Sequence, residues 1–122
     1  MANKNITIGP TTIANAVGNL AAPAAAGAGA VGYTASATRL VVTRIRIVNR
    51  TAGAVTYSQF LGATGAGAAG TEFGWSGVSV PANSFVELYC RKPLEGSSGF
   101  LTGVAGAATS LTFEADAEAE LV

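Results

Sequence analysis

Apolar and polar side chains alternate with a period of two along much of this chain. Residues 39–49, RLVVTRIRIVN, carry the clearest pattern. Val41, Thr43, Ile45 and Ile47 fall on one face, and Leu40, Val42, Arg44, Arg46 and Val48 on the other. A strand sends alternate side chains to opposite faces, and two arginines this close are rarely both buried. The Val41–Ile47 face is therefore predicted to point at the core.

The segment 109–121 sets propensity against pattern. Ala, Glu and Leu favour a helix. Yet Leu111, Phe113, Ala115, Ala117, Ala119 and Leu121 alternate strictly with Thr112, Glu114, Asp116, Glu118 and Glu120. A helix would scatter the apolar residues around its axis, so the spacing predicts a half-buried strand.

Residues 54–61, AVTYSQFL, repeat the alternation after Arg50-Thr51-Ala52-Gly53. The short spacing predicts an antiparallel hairpin with 39–49. A Gly-rich loop, 62–77, holds Glu72, Phe73 and Trp75. Val78–Val80 then leads into Pro81-Ala82-Asn83, a turn in which Asn tolerates the left-handed region. Residues 84–90, SFVELYC, read as a strand, 91–99 as a polar loop and 100–104 as a short apolar strand. Before residue 33, segments 3–8 and 11–17 are split by Gly9-Pro10 and read as two short strands or one extended arm. Residues 18–32 are nearly all Ala and Gly with Pro23, which predicts an extended or flexible arm rather than a helix.

Many short strands, turn signals between them and no convincing amphipathic helix predict an all-β fold. The expected architecture is an antiparallel β-sandwich, jelly-roll or immunoglobulin-like, over residues 33–122, with residues 1–32 as an Ala/Gly-rich N-terminal arm or short strands.

Composition narrows the function. With 122 residues the chain holds one core. Hydrophobic residues at 49% against 11% charged argue against disorder. A surface of Ala, Gly, Thr and Ser is bland for a free monomer, which suggests contact with other subunits. Seven basic and seven acidic residues balance to +0, arguing against sequence-independent nucleic-acid binding. No apolar run reaches the ~20 residues of a membrane span. Asn5, Gly9, Pro10, Asn15 and Asn19 interrupt any signal-peptide core between Lys4 and Ala24.

Candidate chemistry is sparse. Gly27/Gly29/Gly32 and Gly65/Gly67/Gly70 both spell the dinucleotide fingerprint. That motif needs a helix opening at its last glycines. Neither stretch leads into one, so no cofactor is expected. The chain has no histidine, which removes the usual Ser-His and Cys-His nucleophile pairs. Cys90, the lone cysteine, alternates with apolar neighbours and reads as a small buried hydrophobe. The carboxylates at 114, 116, 118 and 120 sit about 7 Å apart along a strand. A calcium site needs more oxygens converging from a loop, so no metal is expected. The acidic row is predicted instead to pair with Arg44, Arg46 and Arg50, and to keep a sheet edge from pairing promiscuously. Trp75 and Phe73 fit a capped sandwich end or a subunit interface better than a sugar platform.

The segments RIRIVNRTAGAVTYSQFLGATGAGAAGTEF, VSVPANSFVELY and FLTGVAGAATSLTFEADAEAELV share an order of motifs. They run from I-x-N-x-T-x-x-x-V through a V-P-A-N turn to L-T-G-x-A and a final L-T strand. In this, residues 39–121 resemble small virion proteins of tailed bacteriophages. The resemblance implies a β-sandwich on the virion, either head decoration (cement) or a neck, tail or fibre component, made in the host cytoplasm. It implies the major capsid protein or other virion proteins as partners. The chain is then expected to be non-enzymatic and homo-oligomeric, with a trimer as one option. Its candidate subunit-interface residues are the basic Arg44, Arg46 and Arg50, the aromatic Phe73 and Trp75, and the acidic Glu114, Asp116, Glu118 and Glu120. A carbohydrate-binding module using Trp75, Phe73 and Tyr57 is the alternative from another class.

Overall fold

A computed structural model describes residues 4–16, 18–21, 38–62, 72–95 and 100–121. The described residues form eight strands. These are β1 (Lys4–Thr12), β2 (Gly18–Ala21), β3 (Thr38–Asn49), β4 (Val55–Gly62), β5 (Val78–Val80), β6 (Phe85–Glu95), β7 (Phe100–Ala105) and β8 (Leu111–Leu121). They build two four-stranded sheets, one ordered β1-β8-β3-β6 (sheet A) and the other β2-β7-β4-β5 (sheet B). Every pairing is antiparallel. The first strand pairs with the last, the second with the seventh, the third with the sixth and the fourth with the fifth. This nested order is that of an eight-stranded jelly roll. The predicted all-β sandwich is therefore observed, in its jelly-roll form.

The core lies between the sheets. Leu40, Val42, Ile45, Ile47, Phe113 and Leu111 come from sheet A, and Tyr57, Val80, Leu101 and Ala105 from sheet B. Ile13, just past β1, is fully buried among them. The small residues Ala115 and Ala117 let β8 sit in the middle of sheet A under larger neighbours. Gly103 does the same for sheet B. A Cβ there would lie 2.7 Å from Leu20 Cδ1 and 2.7 Å from the Tyr57 hydroxyl, so β7 needs glycine where β2 and β4 close on it.

Several expectations are corrected. The face assignment in 39–49 holds for Ile45 and Ile47 but not upstream. A bulge at Thr43 breaks the register between Val42 and Arg44 against both β6 and β8. One unpaired residue reverses the parity of everything before it. Leu40 and Val42 consequently join the core with Ile45 and Ile47. Val41 is also buried, on the opposite face from theirs.

Strands 39–49 and 54–61 do not form a hairpin. β3 belongs to sheet A and β4 to sheet B, so Arg50–Ala54 is a corner between sheets. The buried Asn49 holds it: Nδ2 donates to the carbonyls of Gly53 (2.9 Å) and Val80 (3.0 Å), while Oδ1 accepts from the Thr51 amide and hydroxyl.

The expected loop 91–99 begins later, because β6 continues to Glu95. Pro93 is tolerated there because β6 is a sheet edge. The acidic strand β8, by contrast, is no edge; it lies between β1 and β3. Residues 4–8 of the first segment and 11–12 of the second are joined in one strand, β1, residues 13–16 lie outside any strand, and residues 18–21 of the expected arm form β2 against β7. The arm's remainder, 22–32, and both glycine fingerprints lie outside the described residues. The turn at Asn83 is as expected, with φ of 53°.

Candidate functional site

The outward face of sheet A collects most of the charge. Its centre is Arg44 in β3, opposite Asp116 in β8 and Tyr89 in β6. The next row along β3 is Arg46, opposite Glu114 and Glu87. Arg44 and Arg46 both follow the bulge and share this face by the regular alternation that points Ile45 inward.

Arg44 spends its whole guanidinium on three carboxylates. Nε meets Asp116 Oδ2 at 2.8 Å, Nη1 meets Glu87 Oε2 at 3.0 Å and Nη2 meets Glu114 Oε1 at 3.0 Å. Arg46 Nε reaches the same Glu87 oxygen at 2.7 Å. The Arg46 guanidinium also lies over the Phe85 ring, 4.9 Å from its centroid, a cation–π contact. The three side-chain hydrogen bonds, Asp116 foremost, hold the Arg44 guanidinium protonated well above its ordinary range. Glu87 is held below the usual carboxylate value, first by Arg46, then by Tyr89 and Arg44. In return Glu87 raises the Tyr89 phenol.

Of the expected pairs, Arg44 with Glu114 and Asp116 is present within one chain. Arg46 instead takes Glu87. Arg50, exposed just past β3, has no ion pair among the described residues. Glu118 approaches Arg91 at 3.9 Å. Glu120 stands opposite Arg39 in the register, with its side chain outside the described set. Sequence reasoning missed Glu87, although it is the one acid in 84–90 and shares a face with Phe85 and Tyr89.

Two shallow depressions flank this cluster. One, of about 330 Å³, is lined by Pro10, Arg46, Val48, Arg50, Thr112 and Glu114. The other, of about 300 Å³, is lined by Asn5, Ile6, Thr7, Thr43, Asp116, Ala117 and Glu118. The first sets Arg46, Arg50 and Glu114 around Pro10 and Val48; the second sets Asp116 and Glu118 beside Asn5, Thr7, Thr43, Ile6 and Ala117.

Phe73 and Trp75 lie elsewhere, on the open side between β4 and β6. Segment 72–75 runs beside β4: the Phe73 amide donates to the Gln59 carbonyl, and the Gln59 amide to the Trp75 carbonyl. Both rings pack on the core, and Trp75 meets Tyr57 edge-to-face at 5.7 Å. Tyr57 is buried and donates its hydroxyl to Gln59 Oε1, with its ionisation pushed up by burial. It offers no ring to a sugar. Cys90 packs on the core beside the Val42 carbonyl, and burial raises its thiol.

No family model and no curated protein matches the chain. Among solved structures, it is similar to the cryo-EM virus-like particle of extra small virus from the giant freshwater prawn Macrobrachium rosenbergii. The TM-score is 0.52 at 11% identity, over 97% of this chain and 76% of that one. At this identity the likeness is one of fold: an all-β sandwich.

Proposed function

We propose that this chain is a structural protein of a virion and, within that class, a capsid decoration protein of a tailed bacteriophage. It binds the assembled head shell and does no catalysis. The observation that carries the reading is a jelly roll similar in fold to a virus-like-particle chain over 97% of its own length. The arrangement of charge supports it. Arg44 and Arg46 are engaged by carboxylates of their own sheet, which makes a rigid plate rather than a reacting centre. The sequence resemblance of residues 39–121 supplies the phage setting and the head partner, and keeps a neck, tail or fibre position as the alternative.

The test is to mix the purified chain with undecorated heads and image the particles. Added density at symmetry-related shell sites is the expected result. Bare, intact heads in excess protein overturn decoration, and closed shells formed by this chain alone make it a shell subunit instead.

A further inference from the structure

The four sheet edges are poorly suited to joining molecules. β2 has 4 residues and β5 has 3. β1 is broken by a register shift between Ile8 and Thr11, and β6 carries Pro93 beside Arg91 and Lys92. Short strands, prolines and basic residues blunt edge pairing. A face or an end of the sandwich is the remaining route to a partner.

Residues 13–16, 50–54, 81–84 and 106–110 close one end of the sandwich. Backbone bonds tie them together: the Asn83 amide donates to the Thr51 carbonyl, the Arg50 amide to the Ser110 carbonyl and the Ala105 amide to the Ala14 carbonyl. Within these four stretches Arg50 is the one charged side chain. It is exposed and has no ion pair among the described residues. The next acids back along sheet A are Glu114 and Glu87, in the Arg46 row. That row lies four residues before Arg50, about 13 Å at the rise of a strand. Both acids are already engaged, Glu87 by Arg44 and Arg46 and Glu114 by Arg44. The row between, Val48 with Thr112 and Phe85, is uncharged.

The depression of about 330 Å³ lies on this stretch. Pro10 and Val48 give it apolar surface, Thr112 a hydroxyl, and Arg46 and Arg50 two guanidinium groups; Glu114 lines it in the Arg46 row. Arg46 is held in place by Glu87 and by the Phe85 ring, yet 39% of its side chain stays exposed. Phe85, opposite Val48 in the register, is itself 50% exposed.

We infer that this depression, with Phe85 at its side, is a docking site for an acidic segment of a protein partner, one that sets a carboxylate beside an apolar side chain. The carboxylate sits over Val48 toward Arg50 and accepts from the Arg50 guanidinium and the open side of Arg46. The apolar side chain rests on Pro10, Val48 and the Phe85 ring. Arg50 enters without a partner, so binding breaks no ion pair already made. Guanidinium–carboxylate hydrogen bonds are roughly twice as strong as neutral ones, and arginine and aromatics are enriched at interface centres. A nucleic acid fits less well. Its successive phosphates would cross Glu114, Glu87 and Asp116 in one direction, and in the other the closing loops offer no further cation. The inference rests on the decoration reading only for where the acidic segment is found, on the head shell.

The test is a titration of the isotope-labelled full chain with the peptide acetyl-Ala-Leu-Asp-Leu-Ala-amide, followed by backbone amide NMR. Saturable shifts centred on Val48, Arg50 and Thr112 are expected. The same peptide with Asn for Asp should bind about tenfold more weakly or worse, and so should the Asp peptide to Arg50→Gln, as for the loss of a charge-assisted hydrogen bond. Arg50→Lys should fall between Arg50→Gln and the wild type. Arg50 is exposed, and amide spectra unchanged away from the site verify the fold of each variant. Absence of a saturable shift, equal binding of the Asp and Asn peptides, or indifference to Arg50→Gln overturns the inference. So does tighter binding of a thymidine oligonucleotide than of the peptide at the same amides. The titration contains no virion component, so the two readings fail separately. A chain that takes the peptide at Arg50 but ignores undecorated heads supports the site and loses decoration. Heads bound equally by wild type and Arg50→Glu keep decoration and overturn the site.

Discussion

Asn49 carries a primary amide into the buried corner where the chain leaves sheet A for sheet B. Both of its amide hydrogens and its oxygen are used, on Gly53, Val80 and Thr51. Alanine there leaves the Val80 carbonyl and the Thr51 amide without these partners. A buried polar group left unsatisfied costs about 1–3 kcal/mol. Asn49→Ala is therefore expected to lose about 2–3 kcal/mol in urea unfolding, read as a lower midpoint at unchanged slope. Glu87 gives a second expectation at this scale. Its carboxyl sits below its ordinary value because Arg46, Tyr89 and Arg44 favour the charged form. The native state then binds fewer protons than the unfolded chain. The resulting stability is fully present above 4.5, the ordinary value, and is lost as pH falls through the lowered folded value. Urea midpoints measured against pH should fall in acid for the wild type and fall less steeply in Glu87→Gln. Equal acid slopes in the two proteins would remove Glu87 from the account.

At the scale of the strand, the bulge in β3 decides which residues make the core. Leu40 is fully buried with Val42, Ile45 and Ile47. Without the bulge it would share an outward face with Arg44. Leu40→Ala is expected to cost about 2–5 kcal/mol, the range for a buried leucine. A solvent-exposed position would cost no more than about 0.5 kcal/mol, so thermal or urea unfolding of this one variant checks the burial of Leu40. The period-two pattern was sufficient for the existence of β3, β4, β6, β7 and β8, and for the choice of strand over helix at 111–121. It was insufficient at Thr43, because a threonine suits a regular strand as well as a bulge and leaves no mark in the pattern. Arg50–Gly53 suits a hairpin turn as well as a corner; the burial of Asn49 and the partners of β3 and β4 decide between them, and both are long-range facts. The charged face was half legible. The acidic row of β8 and the arginines of β3 announced each other by spacing. Glu87 and Tyr89 entered only when β6 came to lie beside β3, some 40 residues along the chain.

At the scale of the whole molecule, the edges and the face of sheet A differ in kind. The edges are short, bent or proline-bearing and resist indiscriminate pairing. The face of sheet A is broad and fixed by its own ion pairs. Blunt edges of this kind prevent open-ended stacking of sheets. The nested strand order also has a consequence in time. β8 lies between β1 and β3, so sheet A has a vacant lane until the last of its strands is made. During synthesis from the N-terminus, β1 and β3 emerge with their inner sides uncovered and no neighbour between them. Non-local pairings of this kind fold slowly and leave apolar surface open meanwhile. The low-complexity strand of alternating alanine and acid is thus the keystone of assembly on the ribosome's timescale: small enough to slide into a closing gap, and charged enough on its other side to remain dissolved until it does.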